Sequence, residues 1–328
     1  MTVVALIPPT TLVGKELRET VERRADLWDE IRLLSPEQEE IGVLTELAGG
    51  AAMVARADRE SLAGVDVAFF CGDPAAAGAA AAALPPGATA VWVHAEGAGG
   101  GAPPAGALPV VAGVNLEAAV PGTTLASPHP GTVLLAHLLH PLRRFGPRGA
   151  TAVVTQPSSF RDDAGLEELF AQARNIVAMR SQDEPAVFGG QLAFNLLPTP
   201  VSGPAVADQV RAVLGGGEAG LSLAVRVLQG AVFHGVSAAL HLRLDRPADP
   251  EEVREALGEH PLNRLVEDSE LLGPIDAAAS DEVLIGGVEA VAAADGGGAW
   301  LWAVMDNLTR GGALNAVAIL EQLRQVNA

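Results

Sequence analysis

Short apolar runs alternate with amphipathic stretches through the first third of the chain. Val3 to Ile7 is an apolar run followed by two prolines, which predicts a buried strand. Val13, Leu17 and Val21 recur at helical spacing and predict a helix with charged residues on its other side. Further strands are predicted at Ile31–Leu34, Val65–Cys71, Thr89–His94 and Leu108–Val111. Strands that alternate with helices are typical of a parallel, doubly wound sheet.

The pattern changes from about Thr132, where a mostly apolar helix begins and extends to Leu142. Two long β-like runs follow, Leu221–Leu228 and Ala231–Leu244. From Val236 onward the second run alternates apolar and mostly polar residues, which indicates an antiparallel strand with one buried face. The other predicted elements are strands at Thr151–Thr155 and Trp300–Met305 and helices at Ala164–Met179, Pro250–Leu257 and Gly312–Val326.

These elements predict an α/β fold of two domains, as expected for a chain of 328 residues. Residues 1–125 are predicted to form a Rossmann-like domain with a doubly wound parallel sheet. Residues 126–306 are predicted to form an α+β dimerisation domain with a mixed sheet. Residues 307–328 are predicted to form a closing helix that packs back on the first domain.

Composition and charge exclude several classes of protein. The net charge of −19 argues against a surface for nucleic acid or for a membrane, because both need clustered cations. The single cysteine, Cys71, excludes an internal disulfide and a CxxC metal site. The N-terminus has no basic region before its apolar run, and no apolar stretch is long enough to span a membrane. We therefore expect a cytoplasmic protein.

The most specific motif lies near the end of the chain, at Asp306-Asn307-Leu308-Thr309-Arg310-Gly311-Gly312-Ala313-Leu314-Asn315-Ala316-Val317. With weaker matching segments spread in order along the chain, it resembles the aspartate-semialdehyde dehydrogenase family. The resemblance implies an N-terminal dinucleotide-binding domain and a second domain for catalysis and dimerisation. It also implies a glycine-rich turn for NADP, a nucleophilic cysteine, an arginine for the substrate carboxylate and a histidine base.

The cofactor turn of the resemblance falls on Pro8-Pro9-Thr10-Thr11-Leu12-Val13-Gly14. Pro8 and Thr11 occupy the first two glycine positions, and only Gly14 is retained. Proline fixes φ and has no N–H, so this turn loses both the shape and the donors that a pyrophosphate needs. We expect no bound cofactor and no cofactor-binding residues.

The catalytic positions of the resemblance are also replaced. The cysteine position, within Ser127-Pro128-His129-Pro130-Gly131-Thr132, falls on Pro130, which cannot act as a nucleophile. Gln229 stands at the arginine position and Val236 at the histidine position. A shift by one residue would bring His234 near the base position, but it would also reverse the faces of the strand. Arg226 replaces the arginine only if a bulge shifts it.

The remaining positions of the resemblance have no clear counterpart. The phosphate-binding segment is replaced by the glycine-rich stretch Gly97 to Gly106, which predicts a loop. The family's lysine-bearing helix falls near Gly203 to Arg211, where Asp208 and Arg211 are the charged residues. The active-site glutamine corresponds to Gln156 or Ser159.

Other candidate residues have simpler structural interpretations. Cys71 follows a predicted strand without an adjacent base, which favours a core residue over a nucleophile. His137 and His140 lie one helical turn apart near His129, but they lack an acidic or thiol partner at ligand spacing. His241 and Arg243 share one face of the long strand and favour a dimer surface. We predict no metal site and no catalytic residues.

The sequence thus predicts a degenerate family member that is catalytically inactive and acts by binding or dimerisation. Its partner is either a second copy or a catalytic paralogue, with a small metabolite as a further ligand. Two alternatives remain open. One is an active NAD(P)-dependent oxidoreductase that uses altered groups such as His129 and His234. The other is a metabolite sensor that an amino acid or a phosphorylated acid stabilises.

Overall fold

The computed structural model describes residues 1–94, 103–216, 221–245, 249–267, 271–293 and 296–327. They form two compact units, the first of residues 1–129 with 312–328 and the second of residues 130–311. The chain passes between the units after residues 129 and 311. The sequence predicts these boundaries a few residues earlier, after 125 and 306. The predicted fold class is confirmed, because the first unit holds a parallel sheet and the second a mixed sheet.

The first unit begins as an alternation of strands and helices. Its elements are β1 (Val3–Ile7), α1 (Leu12–Glu22), β2 (Glu30–Ser35), β3 (Leu44–Leu47), β4 (Gly50–Met53), β5 (Ala55–Arg56), β6 (Val67–Phe70), α2 (Pro74–Ala82), β7 (Thr89–Val93), β8 (Leu108–Pro109) and β9 (Thr124–Ser127). Among the described residues, seven strands form a sheet in the order β5-β2-β1-β6-β7-β9-β8. Every pair of neighbouring strands in this sheet is parallel. β3 and β4 form a separate antiparallel hairpin.

The central strands of this sheet are buried on both faces. β1, β6 and β7 have every residue buried, which explains why they read as continuous apolar runs rather than as alternating patterns. Helix α1 begins at the N-cap Thr11, whose side chain accepts a hydrogen bond from the N–H of Gly14. Its buried face contains Val13, Leu17 and Val21, the three residues whose spacing predicts the helix.

The second unit is built around a mixed sheet. Its elements are α3 (Pro130–Leu142), β10 (Gly149–Gln156), α4 (Asp162–Val177), β11 (Leu196–Pro198), α5 (Gly203–Val213), β12 (Ser222–Gly230), β13 (Val236–Leu244), α6 (Pro250–Gly258), β14 (Asn263–Leu265), β15 (Val283–Ala293) and β16 (Gly296–Met305). Within the described ranges, seven strands lie in the order β11-β12-β10-β13-β16-β15-β14. The chain then returns to the first unit through α7 (Leu314–Asn327).

The long strand β13 has one buried face, as its alternation predicts. Val236, Leu240 and Leu242 are buried, whereas Arg243 is exposed. It pairs antiparallel with both β10 and β16. Helix α3 packs against β13 and β16, α5 against β12, and α6 against β14 and β15. These helices supply the apolar layer that buries one side of the sheet.

Candidate functional site

The turn after β1 is packed too tightly for side chains at its glycines. A Cβ at Gly14 would lie 2.5 Å from the carbonyl oxygen of Pro8 and 2.9 Å from Thr11 Oγ1. A Cβ at Gly72 would lie 2.8 Å from Pro8 Cδ. Thr11 Oγ1 also donates to the carbonyl oxygen of Cys71 at 3.1 Å. Gly14 and Gly72 therefore serve the packing of Pro8 and of the helix start.

Acidic residues cluster beside this turn. The Thr10 hydroxyl donates to Glu40, whose second oxygen accepts a hydrogen bond from Ser35 at the end of β2. Burial and the charges of Glu40, Glu39 and Asp73 raise the pKa of Glu37. Like charges this close repel further negative charge. The turn is therefore electrostatically unfavourable for the pyrophosphate of a dinucleotide.

The position of the expected nucleophile is a helix start. Pro130 is buried and is the first residue of α3, a place where the missing N–H costs little. A Cβ at Gly311 would lie 3.1 Å from Pro130 Cβ, so the two residues pack closely. The position offers neither a thiol nor a backbone donor for an oxyanion.

A pair of buried glutamines occupies the ends of β10 and β12. Gln156 and Gln229 are direct neighbours in the parallel register of these strands. Gln156 Nε2 donates to Gln229 Oε1 at 2.9 Å, and Gln229 Nε2 donates to the carbonyl oxygen of Gln156 at 3.1 Å. Gln156 Nε2 also donates to Thr199 Oγ1 at 3.3 Å. This is a neutral, mutually satisfied arrangement at the position where the resemblance implies a guanidinium.

The start of the closing motif supports the second unit. Asp306 accepts hydrogen bonds at 2.8–2.9 Å from the N–H groups of Leu308, Thr309 and Ala279. Asn307 Oδ1 accepts from Gly235 N at 2.9 Å, and its Nδ2 donates to Ser159 Oγ at 3.1 Å. Both side chains are buried. They tie three loops to the end of β16.

The end of the same motif supports the first unit. Asn315 is fully buried and accepts from Ala112 N at 2.8 Å. Its Nδ2 donates to the Val110 carbonyl oxygen and to Ser127 Oγ, both at 2.9 Å. A Cβ at Gly312 would lie 3.0 Å or less from atoms of Val13 and His94. A glycine here therefore lets the backbone before α7 pack closely against these two side chains.

Comparison with known proteins identifies the family. Residues 139–310 match the family described as "Semialdehyde dehydrogenase, dimerisation domain". A USG-1 protein homolog of Azotobacter vinelandii is 33% identical over 244 residues, which cover 66% of this chain and 70% of that protein. The chain belongs to the semialdehyde dehydrogenase family.

One further relative and one solved structure match this family member over nearly its whole length. The aspartate-semialdehyde dehydrogenase of Bacillus subtilis is 25% identical, covering 99% of this chain and 98% of that protein. The structure of a probable aspartate-semialdehyde dehydrogenase from Pseudomonas aeruginosa aligns with a TM-score of 0.87 at 26% identity, covering 100% of this chain and 99% of that one. No helix within the described residues is long and apolar enough to cross a membrane.

A buried group of basic side chains lies beside α3 in the second unit. His137 is fully buried, and its ring meets that of His260 edge to face with centroids 4.7 Å apart. Neither ring nitrogen of His137 has a hydrogen-bond partner among the described residues. Burial, followed by the charges of His260, Arg310 and His140, holds the pKa of His137 well below its usual range. Burial also lowers the pKa of Arg310 to about 10.

The buried His137 predicts a loss of stability in acid. Its folded pKa lies below its unfolded value of about 6.5, so the unfolded chain binds more protons as the pH falls. The free energy of unfolding should therefore fall by up to about 2 kcal/mol between pH 7 and pH 5, on account of this group alone. Urea unfolding across this range measures it, with His137→Leu expected to flatten the acid limb. His241→Gln, on the exposed sheet face, should retain that limb; equal flattening by both variants would contradict the prediction.

A cleft in the second unit contains Arg161, which no sequence pattern marks as a functional residue. It has a volume of about 280 Å³ and is lined by residues 186–189 and 197–200 with Arg161 and Gln229. Arg161 ends a short 3-10 turn that follows β10, and burial lowers the pKa of its guanidinium. The one sequence signal for Arg161 is its place as a lone arginine between a predicted strand and a predicted helix.

Apart from Gln229, the other predicted candidates do not line this cleft. Cys71 is buried, and burial raises the pKa of its thiol, which fits a core residue. His234 is half-buried in the loop before β13, Arg226 is exposed on β12, and Arg211 pairs with Asp208 on α5. Most of the predicted loop Gly97 to Gly106 lies outside the described residues. No three His, Cys, Asp or Glu side chains within the described ranges lie close enough to hold a metal ion.

Proposed function

We propose that this protein lacks the oxidoreductase reaction implied by its resemblance to aspartate-semialdehyde dehydrogenase and acts by binding and dimerisation. The observation that carries the proposal is Pro130, a buried helix start at the position where the resemblance implies the nucleophilic cysteine. Without a thiol, no thioester can form at this position.

Two other replacements support the same proposal. Gln229, at the implied arginine position, is uncharged and engaged with Gln156. The implied cofactor turn contains two prolines, and its Thr10 is hydrogen-bonded to Glu40, one of a cluster of acidic residues. Loss at one position is compatible with altered chemistry. Loss of the thiol, the guanidinium and the turn donors together leaves no group for carboxylate binding, acyl transfer or cofactor binding at the implied positions.

Calorimetric titration with NADP and NAD tests this proposal. We expect no saturable heat at concentrations that would reveal a Kd of about 1 mM, a binding free energy of about 4 kcal/mol. We also expect no oxidation of aspartate semialdehyde in the presence of phosphate, followed by NADPH absorbance. The Bacillus subtilis relative, assayed in the same buffer, is the positive control. Micromolar binding of either cofactor would overturn the proposal and favour an active oxidoreductase that uses other groups, such as His129 and His234.

The dimer is expected to form through the open face of the mixed sheet. The family match covers the domain described as the dimerisation domain. On the face opposite the packed helices, Trp300 and Val153 are 42% and 38% exposed, and the His241 ring packs against Trp300 at a tilt of 35° with ring centroids 4.9 Å apart. Exposed aromatic and apolar side chains on one surface favour an interface. A second copy is the partner we propose, and a catalytic paralogue is the alternative that mixing experiments distinguish.

A further inference from the structure

The sheet of the first unit has an edge that is paired along only part of its length. The two-residue strand β5 pairs with β2 at Leu34 and Ser35. Among the described residues, no strand pairs with the outer side of residues 30–33. An unpaired strand edge is a template on which another chain can form a β-ladder. This half of β2 is therefore a candidate site for an added strand.

The open half of β2 presents backbone hydrogen-bonding groups. Glu30 N donates to the carbonyl oxygen of Thr2 at 3.3 Å, so Glu30 directs its backbone groups to the side of β1. Successive residues of a paired strand direct these groups to opposite sides, so Ile31 and Leu33 direct theirs outward. An extended segment laid along this edge therefore meets the N–H and C=O of Ile31 and the N–H of Leu33.

A groove follows this edge, and we call it the edge groove. It has a volume of about 480 Å³. It is lined by residues 30–34 of β2, by Leu47, Ala52 and Met53 of the β3–β4 hairpin, by Ala55 of β5, and by Glu60, Ser61 and Ala63 before β6. A strand rises about 3.3 Å per residue, so the open half of β2 accommodates a segment of about four extended residues.

Side chains of neighbouring elements hold the walls of the edge groove in place. Arg32 of β2 donates to the carbonyl oxygens of Ser61 and Ala63 at 2.8 and 2.6 Å. Arg18 of α1 donates to Thr45 Oγ1 of the hairpin. The two walls are therefore fixed to the body of the first unit, so the groove exists before an occupant binds.

The β3–β4 hairpin presents apolar side chains to solvent. Leu44 and Met53 lie opposite one another in its antiparallel register and are 73% and 61% exposed. Met53 also lines the edge groove, together with Leu47 and Ala52. An apolar cross-strand pair with this exposure favours contact with another chain. We therefore expect the occupant to carry apolar side chains on the side that faces the hairpin.

The charges around the edge groove favour a basic occupant. Residues 30–63 contain seven acidic and three basic residues. Arg32, which lines the groove, pairs with Glu30 at 2.7 Å, whereas the side chains of Glu46 and Glu60 are exposed. A second copy carries the same net charge of −19 and would bring like charge to this surface. A segment rich in lysine or arginine brings the complementary charge instead.

We propose that the edge groove binds an extended, basic segment of a partner protein by strand addition. The backbone of the segment continues the ladder at Ile31 and Leu33. Its apolar side chains lie against Leu47 and Met53, and its cationic side chains meet Glu60. In this mode the backbone bonds supply affinity and the side chains supply specificity. The inference goes beyond the proposed function, because it concerns the first unit and holds whether or not the reaction is lost.

The test uses the full chain and a fluorescein-labelled short peptide in which valine alternates with lysine. Fluorescence anisotropy should give a Kd below about 1 mM at low salt, as for a weak, transient contact. The same peptide with glutamate in place of lysine, or N-methylated at every peptide bond, should bind at least about 10-fold more weakly. Failure of the lysine peptide to bind, or equal binding of either control peptide, would overturn the inference.

Variants and hydrogen exchange assign the binding to this edge. Met53→Arg removes an apolar contact and adds a like charge, so it should weaken binding at least about 10-fold. Leu108→Arg is the matched control, because Leu108 is 41% exposed on β8, at the opposite edge of the same sheet. It should leave the affinity unchanged. Glu60→Lys changes one exposed carboxylate and should also weaken binding, so it serves where Met53→Arg does not fold.

Hydrogen exchange followed by NMR should show slower exchange at the amides of Ile31 and Leu33 when the peptide is bound. Equal weakening by Met53→Arg and Leu108→Arg, or unchanged exchange at both amides, would place the peptide elsewhere and overturn the inference. Self-association that Met53→Arg abolishes, without binding of the lysine peptide, would assign this edge to a second copy and overturn it as well.

Discussion

Replacement of Asn315 by alanine is expected to lower the free energy of unfolding by about 3–5 kcal/mol. The side chain is fully buried and makes three hydrogen bonds, with Ala112 N, the Val110 carbonyl oxygen and Ser127 Oγ. Each polar group left buried without its partner costs about 1–3 kcal/mol. Alanine also leaves a cavity between α7 and the segments that contain these three partners. Urea unfolding measures the effect, and if the two units unfold separately, the transition of the first unit should move.

Gln325→Ala is the matched control for this prediction. Gln325 is exposed on the same helix and should change the free energy of unfolding by less than about 0.5 kcal/mol. If Asn315→Ala costs less than about 1 kcal/mol, the hydrogen bonds are not the reason for this asparagine, and a ligand contact would then be needed to explain it.

The closing motif makes structural contacts in both units. Asp306 and Asn307 bind loop N–H groups in the second unit, and Gly312 and Asn315 join α7 to the first unit. These contacts use no cofactor and no substrate. A chain can therefore keep this motif after losing the thiol and the guanidinium, because its removal would cost stability whether or not a reaction takes place.

The elements that the sequence predicts well are those whose burial follows a simple period. β1 is a continuous apolar run because both of its faces are covered, and β13 alternates because one face is open. β15 does not show such a period. Gly286 and Gly287 interrupt it, Gly287 has a φ of +56°, and the register with β16 shifts between Gly286 and Glu289. A bulge of this kind breaks the alternation on which a sequence prediction depends.

The candidate site was predictable only at the positions where the resemblance implies a specific catalytic residue. Pro130 and Gln229 stand at such positions, and their identity alone suggests lost chemistry. The bond between Gln229 and Gln156 depends on the register of β10 with β12, which no local pattern specifies. Arg161 lies just before a turn at Asp162, where φ is +58° and ψ is −161°, a combination that is ordinarily found in glycine. The Gln156–Gln229 bond and the position of Arg161 therefore could not be predicted, because they depend on strand pairing and on an unusual turn.

Trp300→Arg is expected to raise the dissociation constant of the homodimer by more than about 100-fold, which corresponds to about 3 kcal/mol. Trp300 is exposed on the open face of the mixed sheet, between His241 and Glu289 in the strand register. Loss of a buried tryptophan from an interface, together with burial of a new charge, has effects of this size. Within one subunit the arginine lies across from Glu289, an opposite charge that favours the folded monomer.

Analytical ultracentrifugation over a range of concentrations measures this equilibrium, and circular dichroism verifies that the monomer is folded. Phe170→Arg is the control, because Phe170 is 58% exposed on α4 and lies off the sheet face. It should leave the dimer intact. If Trp300→Arg remains dimeric while Phe170→Arg dissociates, the interface lies on the α4 side of the second unit. If the unaltered protein is a monomer that pairs only when mixed with a catalytic paralogue, the homodimer is wrong and the same sheet face becomes the surface to test in the heterodimer.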